Sequence, residues 1–144
     1  MEVAILDRNK VLFTWNQTSS NASDENLKNE LPKILKNLKS GVVVGHNVCF
    51  DLNFIAYKAG KFGHTGPNVF FIDTLNLSRR LIETVSSYKL EFLLQYFNIS
   101  IHGELHTALV DAQATQALFW KLIERGEIGT LKEVGMKKLN WSFF

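Results

Sequence analysis

The chain has 144 residues, 46% hydrophobic and 21% charged, a balance that fits one globular domain over residues 1–144 and excludes a disordered chain. A net charge of +2 is too low for a protein that holds duplex DNA over a wide surface by charge alone, so any contact with nucleic acid is expected to be local. One cysteine excludes a disulfide framework or a multi-cysteine zinc site, and the lack of a long apolar run or a signal-peptide pattern predicts a cytoplasmic protein without a membrane span.

The N-terminal third predicts a β-hairpin and then a helix. Residues 2–6 and 11–15 are β-prone runs separated by turn residues, and a polar loop over residues 16–23 follows. Apolar residues then recur at helical spacing, at Leu27, Leu31, Ile34, Leu35 and Leu38. Pro32 has no backbone N–H, so this helix is expected either to kink there or to begin there.

The middle of the chain predicts two buried strands, each followed by a helix. Residues 42–44 are three valines, typical of a strand buried on both faces, and they lead into a helix over residues 48–59. Residues 69–72 form a second apolar strand, and Asp73 after it is a favourable N-cap for a short helix that ends at Leu81.

The C-terminal half predicts three more helices. Leu90, Leu93, Leu94 and Phe97 mark the first of them. A longer helix over residues 107–125 has its expected core face at Leu109, Val110, Ala117, Leu118 and Ile123. A last helix is expected near residues 130–138. A hairpin followed by strands that alternate with helices predicts an α/β domain with a mixed sheet.

Three polar residues lie where apolar elements end. His46 and Asn47 follow the valine strand, and Asp51 lies in the first turn of the next helix. An acid in a first turn is stabilised by the helix dipole, so a structural role explains Asp51 alone as well as a catalytic role does.

His106 and Asp111 form a second candidate pair. Five positions on an ideal helix separate two side chains by about 140°, so two helical residues at this spacing could not share a site. If His106 lies in the loop before the helix and Asp111 in its second turn, both can reach one cleft, where histidine suits a general base. The alternative is a surface histidine and a solvated aspartate.

Carboxylate oxygens are the ligands that Mg²⁺ and Mn²⁺ prefer, and paired ions of this kind recur in enzymes that cleave phosphodiesters. Two aspartates and a histidine are too few for a complete site with two metal ions.

Two segments carry a family resemblance. VVVGHNVCFDLNF resembles the second exonuclease motif of the DnaQ-like 3′-to-5′ exonucleases, and HTALVDAQAT resembles their third motif in its DEDDh form. Between them, FIDTLNLSRRL and then YKLEFLLQYFNIS resemble the connector of that family, and the resemblance extends over residues 2–123.

The resemblance implies a ribonuclease H-like three-layer fold, a mixed sheet flanked by helices. It implies that Asp51 and Asp111 bind two divalent cations, Mg²⁺ or Mn²⁺, and that His106 takes a proton from the attacking water. The implied substrate-binding residues are His46, Asn47 and Phe50, with Phe54 packed beneath the cleft.

The first motif of that family, an Asp-x-Glu on its first strand, has no counterpart before Asp51. Residues 2–5 resemble the start of the second strand, so the usual first strand is expected to be absent. Three explanations remain open: a gene start further upstream, a strand supplied by a partner, or an inactive relative that pairs its exposed edge in a dimer. An upstream portion is favoured because Asp51, His106 and Asp111 are all retained.

The resemblance thus implies an enzyme that removes nucleoside monophosphates from single-stranded 3′ ends of DNA or RNA. The alternative is an inactive module that binds such ends or assembles with a polymerase or helicase subunit. Aromatic and basic side chains that could contact the strand are Tyr57, Phe62, Tyr88, Lys58, Lys61, Arg79, Arg80 and Lys89. Taken singly, each is better explained as a partly exposed core ring or a solvated cation.

Overall fold

The computed structural model describes residues 2–7, 10–16 and 24–141. In chain order its elements are β1 (Glu2–Asp7), β2 (Lys10–Asn16), α1 (Asp24–Leu38), β3 (Val42–Gly45), α2 (Val48–Lys61), β4 (Phe70–Asp73), α3 (Thr74–Leu81), α4 (Leu90–Tyr96), α5 (Ala108–Arg125), α6 (Leu131–Val134) and β5 (Lys137–Lys138).

The predicted N-terminal hairpin is confirmed. β1 and β2 pair antiparallel from Glu2 opposite Asn16 to Asp7 opposite Lys10, with one shift of register after Ile5. Residues 17–23 of the predicted loop lie outside the described residues.

The other three strands form a mixed sheet in the order β3, β4, β5. β3 runs parallel to β4, so Val42 lies opposite Phe70 and Gly45 opposite Asp73, and β5 pairs antiparallel with β4. In the described parts of the chain the hairpin and this sheet are separate ladders, and α5 lies against both β1 and β3. The expectation that the usual first strand is absent stays a prediction.

Helices cover both faces of the mixed sheet. Because successive strand residues point to opposite faces, Val43 and Phe71 pack against α1 and α2, while Val44 and Ile72 pack against the helices that follow. The helices on the second face of the sheet, α3, α4 and α5, pack on it through buried leucines, namely Leu77, Leu93, Leu118 and Leu122. The predicted α/β fold, a mixed sheet between helical layers, is confirmed.

The five apolar residues that predicted α1 are all buried. Pro32 lies inside the helix, which begins at Asp24, so the alternative that the helix begins at the proline was wrong. The apolar stripe before and after Pro32 packs on α2 and the sheet, and this packing outweighs the one backbone hydrogen bond that proline cannot donate.

β3 is more exposed than its sequence predicted. Val42 is 39% exposed, and Val43 and Val44 are half-buried. The prediction of burial on both faces was wrong because β3 is an edge strand among the described residues, paired only with β4.

Two predictions near the C-terminus also needed correction. α5 buries Ala114, Thr115, Leu118 and Leu122, so only Leu118 of the expected core face is fully buried. Which residues of α5 are buried is determined by the elements that pack on it, which are α3, α4, β1 and β3, and not by the apolar stripe alone. The predicted last helix shrinks to α6, because Gly135 at φ 79° ends it and the chain turns into β5.

None of the helices in the described part of the chain is both long enough and apolar enough to span a membrane.

Candidate functional site

The first group of candidate residues lies at the carboxyl ends of two parallel strands. Gly45 ends β3 and Asp73 ends β4, the two residues lie opposite each other, and a helix follows each strand almost at once. A Cβ atom at Gly45 would lie 2.5 Å from the Cβ of Val48, so the tight turn into α2 has room only for glycine. This edge of a parallel sheet is where α/β proteins place their ligands.

One carboxylate oxygen joins the two turns. Asp73 Oδ1 accepts the backbone N–H of Leu75 at 2.9 Å, which confirms the predicted N-cap of α3. The same oxygen accepts the backbone N–H of Asn47 at 2.9 Å, across to the turn that begins α2. Asn47 is the N-cap of α2 in the left-handed conformation (φ 58°, ψ 33°), and its side chain makes no cap bond. The buried Asp73 therefore holds the turn that places the first turn of α2.

His46 is held by protein groups on both sides of its ring. Nε2 lies 2.7 Å from the carbonyl oxygen of Tyr88, which can only accept, so Nε2 carries the proton. Nδ1 lies 2.9 Å from the hydroxyl of Thr74, and that hydroxyl also lies 3.2 Å from the carbonyl oxygen of Gly45. Burial lowers the pKa of His46 and so favours the neutral ring, in which Nδ1 accepts the proton of the Thr74 hydroxyl. The implied contact of His46 with substrate stays a prediction.

Asn47, Phe50 and Asp51 face solvent on the other side of this turn. Asp51 lies in the first turn of α2, as the sequence predicted. Desolvation by the surrounding protein raises the pKa of Asp51 although its side chain still reaches solvent, and the charge of Asp73 raises it further. Two carboxylates therefore interact at this edge of the sheet, which is the charge pattern that a cation offsets.

His106 and Asp111 meet at the start of α5. The backbone N–H of His106 donates to Asp111 Oδ1 at 2.9 Å. His106 precedes Thr107, the N-cap of α5, as expected, while Asp111 lies in the first turn rather than the second. His106 adopts φ 79°, an uncommon conformation for a residue other than glycine, and its side chain is exposed. The aspartate thus holds the backbone that presents the imidazole.

The carboxylates present are of the class that Mg²⁺ and Mn²⁺ bind. Asp51 and Asp111 lie on different helices, α2 and α5, and α5 packs on β3, the strand that leads into α2. Within the described residues, no group of three or more histidine, cysteine, aspartate or glutamate side chains is arranged to hold a metal ion. The donor type fits a divalent cation, but the described donors do not complete a site.

Sequence reasoning missed two supporting groups and placed one ring incorrectly. The fully buried Thr74 and the carbonyl oxygen of Tyr88 hold the His46 ring. In the sequence, the position of Thr74 directly after a strand-ending aspartate was a signal for the first contact, and the second had none. Phe54, which the resemblance placed beneath the cleft, is 38% exposed. The sequence signal for this exposure was the helical spacing of Phe50, Phe54 and Tyr57, which places all three rings on one face of α2.

Comparison with known proteins gives a consistent result. A family model described as exonuclease, RNase_T, matches residues 9–119. The DNA polymerase III PolC-type of Caldanaerobacter subterraneus subsp. tengcongensis is 40% identical over 110 residues, which cover 76% of this chain and 7% of that protein. The 3′-5′ exonuclease DinG of Bacillus subtilis is 28% identical over 126 residues, 83% of this chain and 13% of that protein. The chain thus spans a small fraction of the length of these relatives.

Removal of the Asp73 carboxylate is expected to destabilise the fold. Asp73→Ala leaves two backbone N–H groups without their acceptor, so we expect a loss of about 2 kcal/mol or more in the free energy of unfolding, measured with urea. Asp73→Asn keeps an oxygen at the Oδ1 position and should lose less. Thr130→Ala is the matched control, since it leaves one capped N–H of α6 without its acceptor and also removes an exposed bond to the Glu133 carboxylate; it should cost about 1 kcal/mol. If Asp73→Ala lost no more free energy of unfolding than Thr130→Ala, this would contradict the conclusion that Asp73 accepts two stabilising backbone bonds.

Acid is expected to destabilise the fold through His46. Because burial lowers the folded-state pKa of His46, the unfolded chain takes up the proton more readily. Its contribution to stability is complete above the unfolded value of about 6.5 and is lost as the pH falls through the folded-state value. We expect His46→Asn to reduce the loss in the free energy of unfolding between about pH 7 and about pH 5. His102→Asn, at an exposed histidine, should keep the wild-type loss, and an unchanged loss in His46→Asn would refute the assignment.

Proposed function

The chain belongs to the exonuclease family whose model matches residues 9–119, and from this we propose that it is a metal-dependent 3′-to-5′ exonuclease domain. It would hydrolyse the phosphodiester bond at a single-stranded 3′ end of nucleic acid and release a nucleoside monophosphate. The observation that carries the proposal is the pair of His106 and Asp111, since the bond from the His106 backbone N–H to Asp111 Oδ1 fixes the backbone that carries an exposed imidazole at the start of α5.

Asp51 and Asp111 are the residues that would hold the divalent cations, two ions of Mg²⁺ or Mn²⁺. Such ions, when bound, supply Lewis-acid activation of water and neutralise charge on a phosphodiester. Asp51 is exposed in the first turn of α2, and its pKa is raised, chiefly by desolvation and further by the charge of Asp73. A bound cation would offset the repulsion between the two carboxylates, and this supports a metal-binding role for Asp51.

His106 would accept the proton of the attacking water. Histidine is the side chain best suited to accept a proton near neutral pH. Its ring is exposed, and its backbone is fixed by the bond to Asp111, so the imidazole starts from a defined position. Asn47 and Phe50, exposed beside Asp51, would contact the terminal nucleotide.

The name of the first relative, a DNA polymerase III, supports DNA as the substrate and a polymerase as the partner, and the name of the second supports cleavage from the 3′ end. An inactive module that only holds nucleic-acid ends is less well supported. Exposed Asp51 and partly exposed Asp111 would repel phosphate unless cations neutralised them, so a pure binder gains nothing from keeping both carboxylates.

Release of nucleotide from a single strand that carries a label at its 3′ end tests the activity. We expect the wild-type chain with Mn²⁺ to release labelled mononucleotide and EDTA to abolish the release. His106→Asn removes the imidazole while asparagine tolerates the left-handed backbone, so we expect kcat to fall by about 10²- to 10⁴-fold. Asp111→Asn keeps an oxygen that accepts the His106 N–H but removes the negative charge, so any loss of activity would come from the missing charge and not from a changed backbone.

His102→Asn is the matched control for these variants, since His102 is an exposed histidine in the same loop. It should retain wild-type kcat. Equal release by wild type, His106→Asn and Asp111→Asn would indicate a contaminating nuclease. No release by a folded wild-type chain would refute the claim that this polypeptide is itself the active enzyme.

A further inference from the structure

α2 exposes three aromatic side chains on one face. Phe50 is 72% exposed, Phe54 38% and Tyr57 55%. With 100° of rotation per residue, these three positions fall within an arc of about 60° on the helix surface. The opposite side of the helix supplies its buried residues, which are Val48, Leu52, Ile55, Ala56 and Ala59. The aromatic face is therefore not part of the core.

Other observations distinguish this face from scattered exposed apolar residues. No aliphatic side chain of α2 is exposed, so all of the exposed hydrophobic surface of the helix is aromatic. Single exposed hydrophobic residues are common on soluble proteins, but three exposed aromatic side chains on one face of a helix indicate a binding surface.

The face runs from an acidic end to a basic end. Phe50 adjoins Asp51, the one acidic residue of α2, and Lys58 and Lys61 lie in the last turn. Lys58 Nζ lies 5.6 Å from the centre of the Phe54 ring, so a cation and an aromatic face are presented together. Aromatic rings combined with cations are the means by which proteins bind single-stranded nucleic acid without regard to sequence.

We propose that Phe54 and Tyr57, which continue the aromatic face of α2 beyond Phe50, form a stacking surface for the bases of single-stranded nucleic acid that precede the 3′-terminal nucleotide, with Lys58 and Lys61 beside its phosphates. This inference rests on the proposed function, because it takes the 3′ end to lie beside Asp51. From Phe50 to Tyr57 the helix rises roughly 10 Å, enough for two or three bases at their stacking distance of about 3.4 Å.

Nucleic acid fits this face better than a protein partner does. The cores of protein interfaces are depleted of lysine, and helix-docking surfaces usually include aliphatic anchors. This face has two lysines and no exposed aliphatic residue.

Binding in EDTA tests the surface without cleavage. The probe is a short oligothymidylate with a 5′ fluorophore, read by anisotropy. Phe54→Ala and Tyr57→Ala change exposed helical positions to the best helix former, so folding should be retained. We expect each to weaken binding by about 5- to 100-fold. Trp120→Ala on α5, where the ring is 61% exposed, is the matched control and should bind as wild type does.

Salt dependence tests the lysines separately. If both contact phosphates, Lys58→Gln with Lys61→Gln should reduce the slope of log affinity against log salt concentration by roughly 1.4. An unchanged slope would remove the lysines from the proposed surface.

Cleavage separates this inference from the proposed function. In Mn²⁺, Tyr57→Ala should cleave the long single strand more slowly than wild type. It should hydrolyse the p-nitrophenyl ester of thymidine 5′-monophosphate, which has no preceding bases, at the wild-type rate. If wild type cleaves neither substrate, the proposed function fails, while anisotropy still tests the surface.

Wild-type affinity in both ring variants would overturn the stacking surface, as would equal weakening by Trp120→Ala. If binding is unchanged and sedimentation shows that the ring variants alter self-association, the face would instead be a contact between copies of this chain.

Discussion

The parallel pairing of β3 with β4 is the constraint on which the candidate site depends. Its register places Gly45 opposite Asp73, so the two strand-to-helix turns lie side by side. One oxygen of Asp73 can then accept an N–H from each turn, capping α3 and holding the left-handed Asn47. A shift of register by one residue would turn the side chains of a strand to the other face, and this contact would be lost with the core packing.

Buried and exposed polar groups at this edge have different tasks. His46 and Thr74 bond to each other, Asp73 accepts two backbone N–H groups, and every buried side-chain polar atom among the described residues has a partner. Asp51 lies on the helix that they position, and its pKa is raised, chiefly by desolvation and further by the neighbouring Asp73. A rigid, satisfied support beneath an exposed carboxylate is the arrangement that a cation-binding enzyme needs, because the geometry is set before the ion arrives.

The pair of His106 and Asp111 is built locally, within five residues, and needs little from the rest of the fold. Its uncommon backbone conformation is held by one bond to Asp111 at a helix start where the N-cap side chain makes none. The helix that begins with this local unit, α5, packs on β3, the strand that leads into α2 and Asp51. The local His106–Asp111 pair and the long-range bonds of Asp73 thus position different residues for the proposed chemistry.

The sequence by itself determined what depends on neighbours along the chain. Apolar spacing predicted α1 and α4, turn residues predicted the hairpin, and Asp73 was identified as a cap, because these features obey local periodicity and hydrogen bonding. The pairing of Asp73 with Asn47, the contacts of His46, the exposure of Val42 and the short strand β5 were decided only by tertiary structure. Each joins segments far apart in sequence or depends on which strand lies at the edge of the sheet, and local pattern contains no information about such partners.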